Sequence, residues 1–184
     1  KGRHEALATL PQKSIPKRQD SLFQDMQYAG EGRFGVLTYG AYVLARENKA
    51  PLSSLRQLLE SKDHAYSGLS LVQLGIALKL MGDEPKSAQA IESGLNTKRK
   101  AGYWWGDYGS EVRDLALSIY LLDRHKLQVS KAQNLLPELI GYVKEDDYLS
   151  TQEKLAVFLA AHKLGASAGN DWQMSMTSAG ETRK

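Results

Sequence analysis

The densest group of chemically capable side chains in this sequence is Trp104, Trp105, Asp107, Tyr108, Glu111, Arg113 and Asp114. On a helix, Asp107, Glu111 and Asp114 stand at i, i+4 and i+7 and share one face. Two carboxylates beside aromatic platforms are what glycosidic bond cleavage needs, an acid for the leaving oxygen and a base or nucleophile opposite it. The structural reading of the same residues weighs more. Asp107 suits a helix cap, Glu111 a first helical turn, and Arg113 is placed to pair with either. No catalytic residue is therefore assigned.

The remaining constellations are weaker. His4, His64, His125 and His162 are scattered, with neither an H-x3-H nor an H-E-x-x-H spacing, so no metal site is expected. Gly30, Gly32 and Gly35 follow no strand pattern and precede no Gly-Lys-Ser/Thr, which removes a phosphate loop. Ser53, Ser54, Ser67 and Ser70 lie in helix-start contexts, without the G-x-S-x-G turn of a serine nucleophile. The chain has no cysteine, hence no thiol nucleophile, disulfide or thiolate ligand of its own. No cofactor is implied. The aromatic turn Tyr103, Trp104 and Trp105 is a candidate interaction surface, because Trp and Tyr are common interface anchors. Tyr39, Tyr42 and Tyr66 are expected to fill gaps between helices.

The elements that hold these residues are helices. From Phe34 onward apolar residues recur at intervals of three and four. A first helix is predicted over about Arg33 to Asn48, with Phe34, Leu37, Ala41 and Leu44 inward. A second starts at Pro51, a good first-turn residue, and carries Leu52, Leu55, Leu58 and Leu59. The third, about Leu69 to Met81, is apolar nearly all round and should be an inner helix ended by Gly82. Asp83-Glu84-Pro85 opens the fourth, with Ala88, Ile91 and Leu95 inward. The fifth runs from about Ser110 to Arg124 on Val112, Leu115, Ile119 and Leu122. The sixth covers about Lys131 to Lys144, kinked or delayed by Pro137. The seventh begins at the Ser150-x-x-Glu153 capping box. It places Leu155, Phe158 and Leu159 at helical spacing and ends at Gly165.

Hydrophobic content of 42% and charged content of 24% fit a soluble globular domain. The net charge of +3 owes much to Lys1, Arg3, Lys13, Lys17 and Arg18. No helix carries a basic stripe, so nucleic acid is not an expected partner. No apolar run reaches the ~20 residues of a membrane span. Absence of a signal peptide and a first residue that is not Met suggest part of a longer protein. Residues 1–32 are expected to form an irregular connection, 33–165 a helical body, and 166–184 a linker rich in Ser, Gly, Ala and Thr.

Short connections between helices predict antiparallel hairpins. Gly102-Tyr103-Trp104 resembles the G-x-W turns of toroids such as terpene-cyclase-like domains, and no period of ~34 residues marks a solenoid. The expected fold is all-α, a partial α/α-toroid of six to seven helices.

Four strings, taken in order, resemble the bacterial alpha-2-macroglobulins, in the latter part of their thioester-containing helical domain. They are Tyr39–Arg56, Ser67–Asp83, Asp107–Leu117 and Tyr148–Leu164. The resemblance spans about residues 33 to 165. It implies a fragment of a broad-range protease trap and not an enzyme: a protease cuts a bait region, a buried Cys–Gln thioester is exposed, and a lysine of the protease is captured. Target proteases and other domains of the same chain would be the partners, together with a bifunctional penicillin-binding protein. The implied location is the periplasm of a Gram-negative bacterium, with the parent often lipid-anchored to the inner membrane. The thioester motif is expected upstream of Lys1, the alternative being a paralogue that has lost it; Gln152-Glu153 is in reversed order, lacks the Cys and sits at a helix cap. The alternatives are a toroidal carbohydrate-active enzyme using Asp107, Glu111 or Asp114, and a helical-repeat scaffold that binds proteins.

Overall fold

The computed structural model describes residues 31–100, 109–145, 148–167, 176–178 and 181–183. Their elements are α1 (Glu31–Arg46), α2 (Leu52–Glu60), a 3-10 turn (Lys62–His64), α3 (Gly68–Leu80), α4 (Glu84–Asn96), α5 (Glu111–Arg124), α6 (Val129–Gln133), α7 (Leu136–Glu145) and α8 (Thr151–Ser167). Apart from these helices there is one short antiparallel hairpin, β1 (Met176–Ser178) with β2 (Glu181–Arg183), pairing Met176 with Arg183 and Ser178 with Glu181. The tail composition gave no hint of that hairpin. The body is all-helical, as its periodicity demands.

α3 is the centre. Every residue from Gly68 to Leu78 is buried, polar Ser70 and Gln73 included. It packs against α1, α2, α4 and α5, and α5 packs in turn against α8. The order α1–α3–α5–α8 therefore forms an inner row. Its members run parallel. Tyr42 near the end of α1 bonds His125 at the end of α5, Ser67 and Gly68 at the start of α3 share a cleft with Glu111 and Asp114 at the start of α5, and Glu153 at the start of α8 accepts from Ser110, the N-cap of α5. The intervening helices return in the opposite direction.

Packing of α3 on α4 depends on missing side chains. A Cβ on Gly68 would lie 2.1 Å from the Gly94 carbonyl oxygen and 2.8 Å from that of Thr97. A Cβ on Gly75 would meet Ile91 Cγ1 at 2.5 Å. The start of α3 thus touches the end of α4, and the two backbones meet with only glycine between them. This also moves the inward face of α4. Ser87, Ala90, Ile91 and Gly94 are buried, Leu95 is half-buried, and Ala88 is exposed.

The three inner helices α1, α3 and α5 stop in the same way. Asn48 (φ 55), Gly82 (φ 87) and Lys126 (φ 55) are left-handed. In each case the next residue donates back to the helix, Lys49 to Leu44, Asp83 to Leu78 and Leu127 to Leu122, all at 2.9 Å. These bonds satisfy carbonyls that a helix end leaves without partners.

Three further expectations need correction. The predicted sixth helix is two, α6 and α7, because Pro137 cannot donate within a helix interior and instead falls in the first turn of α7. In α8 the large apolar residues face outward: Leu155 is 58% and Phe158 62% exposed, while Ala156 and Ala160 are buried against α5. Small residues allow the close approach of α8 to α5. The helix also continues through Gly165 to Ser167.

Candidate functional site

Asp107, Tyr108 and the aromatic turn Tyr103, Trp104 and Trp105 lie outside the described residues, as does His4. Glu111 and Asp114 fall within them, in the first turn of α5. That helix begins where the sequence permits it: the Ser110 hydroxyl accepts from the Arg113 backbone N–H at 3.1 Å, satisfying one orphan donor. Asp114 is then carried inward, and its side chain is only 6% exposed.

Both oxygens of Asp114 are occupied. Oδ2 accepts from Arg99 Nη1 at 2.5 Å, and Oδ1 from Arg113 Nε at 2.9 Å and Nη2 at 2.6 Å. A buried carboxylate clasped by two guanidiniums is committed to charge-assisted hydrogen bonds within the fold. Arg99 also lies over the Tyr66 ring, 4.9 Å from its centroid. A Cβ on Gly109 would meet Arg113 Nη2 at 2.3 Å and Arg99 Nη1 at 2.4 Å, so that glycine makes room for the clasp. Glu111 differs. Burial pushes its carboxyl above the ordinary range, opposed by a backbone N–H from Arg99 and reinforced by the charge of Asp114.

The capping box of α8 is formed as expected. The Ser150 N–H donates to Glu153 Oε2 at 2.7 Å, and the Glu153 N–H donates to Ser150 Oγ at 3.3 Å. Burial raises the Glu153 carboxyl, but bonds from Ser110 and Ser150 and the charge of Arg113 together bring it below its usual range. One carboxylate thus ties the N-termini of α5 and α8. Its bond to Ser110 has no sequence signal, since it joins residues far apart in the chain. Gln152 is exposed in the first turn of α8.

Beside this node a cleft of about 230 Å³ is lined by Ser67, Lys98, Glu111, Leu115 and Glu138 among others. Among the described residues no group of three His, Asp or Glu side chains could hold a metal ion. His64 is exposed in the 3-10 turn, His162 is exposed on α8, and His125 caps α5. Sequence reasoning missed Arg99, which lies near the start of the connection Thr97–Ser110, 15 positions before Asp114.

Fold and site together define an array of helical hairpins in which a buried acid at the head of α5, Asp114, is committed to holding the array together. No protein-family model matches the chain. The alpha-2-macroglobulin of Escherichia coli K12 is 42% identical over 160 residues, 84% of this chain and 10% of that protein. The native E. coli protein superposes with a TM-score of 0.79 at 38% identity, over 95% of this chain and 12% of the larger one. A crystal structure of its part from domain MG7 to the C-terminus gives 0.76 at 39% identity, over 95% of this chain and 29% of that piece. The chain is a homologue of the bacterial alpha-2-macroglobulins, and it corresponds to one helical segment between MG7 and the C-terminus, about a tenth of the length of the E. coli relative. That protein has also been solved activated by porcine elastase and by trypsin, and the Salmonella protein reacted with methylamine.

Proposed function

We propose that the parent of this chain is a protease trap and that this segment belongs to the helical domain shielding its thioester. The observation that carries the proposal is the 42% identity with a protein whose relatives include protease-activated and methylamine-reacted forms. Methylamine is a small nucleophile, and its reaction fits an activated acyl bond: the amine nitrogen bonds to the carbonyl carbon, the carbon–sulfur bond breaks, and the thiolate leaves and takes up a proton. A lysine of a captured protease would react in the same way. This chain contains no cysteine, so the sulfur comes from elsewhere in the parent. The contribution of this segment is a dry helical wall that keeps water from the bond until activation.

The proposal extends to the architecture. A parallel inner row with antiparallel returning helices is the geometry of an α/α-toroid arc. Both ends of the row are apolar: Val36, Tyr39 and Val43 stand out on α1, and Leu155 and Phe158 on α8. Further helical pairs of the parent would continue the ring there, with residues 1–32 and 166–184 connecting to the rest. Periplasmic location, a lipid anchor and association with a bifunctional penicillin-binding protein complete the proposal. The candidate surface Tyr103–Trp105 would serve that contact.

The test uses the full-length parent. Incubation with trypsin or elastase should yield a protease adduct stable to boiling in detergent, and prior methylamine treatment should abolish it. No adduct with either protease would refute covalent trapping.

A further inference from the structure

At the opposite end of the inner row from the Asp114 clasp, α1 and α5 bring together a second polar group. Arg46 lies over the Tyr42 ring and Arg124 over the Tyr120 ring, each guanidinium 5.9 Å from the centroid. Arg124 Nη1 donates to the Tyr120 hydroxyl at 2.6 Å. The Tyr42 hydroxyl bonds His125 Nε2 at 3.0 Å, and the two rings meet edge to face. Both arginines are exposed. Their positions on two helices 78 residues apart, each braced against a tyrosine, make this a built feature of the fold.

The end of a helix favours a basic residue, which accounts for one arginine on each helix. It does not account for their convergence on one imidazole with no acid beside it. Among the described residues, the paired carboxylates at this end are committed elsewhere: Asp83 to Arg56, Glu84 to Lys79 and Asp123 to Lys126. Glu47, exposed and next to Arg46, enters no ion pair there. Burial first, then the charges of Arg124 and Arg46, hold His125 below the usual imidazole range, and no acid opposes them. The Tyr42 hydroxyl, raised by burial, is in the field of the same two arginines.

We propose that this end of the row is a docking surface for an acidic polypeptide segment of a partner protein, whose Asp or Glu carboxylate engages Arg46 and Arg124. Planar guanidiniums present forked donors that match a carboxylate. The ligand is a polypeptide carboxylate and not a free phosphate, because helix C-termini offer carbonyls here and not the N–H groups that cradle phosphate. Two cations are too few to follow a nucleic-acid backbone. This surface goes beyond the trapping function and does not depend on it.

The experiment uses the 184-residue chain and a fluorescein-labelled hexaglutamate peptide at low ionic strength. Saturable binding is expected, read by anisotropy, together with movement of the His125 ring resonances and a rise of the His125 titration midpoint. Arg46→Gln with Arg124→Gln should weaken binding at least tenfold while leaving the unfolding curve in place, since both side chains are exposed. Lys131→Gln, at a lysine already paired with Glu92, should bind as the parent chain does. Absence of binding overturns the proposal, and so does binding that survives the double substitution or leaves His125 unmoved. Displacement of the peptide by inorganic phosphate at matched ionic strength would assign a small-anion site and refute the docking surface.

Discussion

Gly68 offers the sharpest test of how closely the inner row is packed. Replacing it with Ala puts a methyl group 2.1 Å from the Gly94 carbonyl oxygen and 2.8 Å from that of Thr97. Both obstacles are backbone, so no side chain can swing aside, and α3 and α4 must separate. Forcing a group into a packed contact costs about 3 kcal/mol, and the gain in helix propensity returns at most about 1 kcal/mol. The net loss of about 2 kcal/mol corresponds to a fall in Tm of about 4–8 °C for a chain of this size. Gly35 is the control, since a Cβ there meets nothing within 4 Å. Gly35→Ala should therefore stabilise by about 0.5–1 kcal/mol. Urea denaturation followed by circular dichroism measures both, with unchanged slope and shifted midpoint. Gly94→Ala attacks the same contact from the other side, so the double substitution should cost less than the sum. If Gly68→Ala matches or exceeds the stability of the parent chain, the glycine-mediated contact between α3 and α4 is wrong.

Asp114→Asn should destabilise by about 2–3 kcal/mol, because two largely buried guanidiniums lose their anion; denaturant unfolding checks it, and a loss below 0.5 kcal/mol, about the size of a surface substitution, would deny the clasp. Because the folded state depresses the His125 pKa, the unfolded chain binds more protons as pH falls below the ordinary imidazole value of 6.5. Stability should thus be full above that value and decline from about pH 7 to pH 5, and His125→Gln should flatten the slope. Thermal melts across that range decide it; an unchanged slope in the variant rejects the assignment. Asn48 holds a left-handed conformation at φ 55, so Asn48→Gly should raise stability by about 0.5 kcal/mol, read as an upward shift of the urea midpoint.

Most helices were legible because the pattern of three and four needs no tertiary information. α3 announced itself by being apolar on every side, and the Ser150–Glu153 box by its spacing. The orientation of two helices was not legible. In α8 sequence pattern favours Leu155 and Phe158 as the buried face, yet close helix approach selects Ala156 and Ala160; in α4 the expected Ile91 stays buried while Ser87, Ala90 and Gly94 replace Ala88 beside it. Size complementarity with a neighbour decides this, and the neighbour is a tertiary fact. α8 stands at the end of the row, so Leu155 and Phe158 have no described helix to face. The Asp114 clasp was half legible: Arg113 is adjacent, but Arg99 reaches it only because α3 and α5 begin at the same end. Tyr42 fills an interhelical gap as expected, whereas Tyr39 on the same helix is exposed.

The parallel inner row also determines where the chain tolerates being lengthened. The connections after α1, α3 and α5 are the tight segments Glu47–Pro51, Met81–Asp83 and His125–Gln128, each fixed by a left-handed residue and a bond back into the helix. The longest connection between the described helices, Thr97–Ser110, joins α4 to α5 at the opposite end of the row. Evolution and engineering therefore meet an asymmetric molecule. One end resists insertion because any added residue breaks a helix stop. At the other end the stops are replaced by side-chain ties, Arg99 to Asp114 and Glu153 to Ser110, so an insertion there keeps the helix spacing only where it leaves those contacts in place.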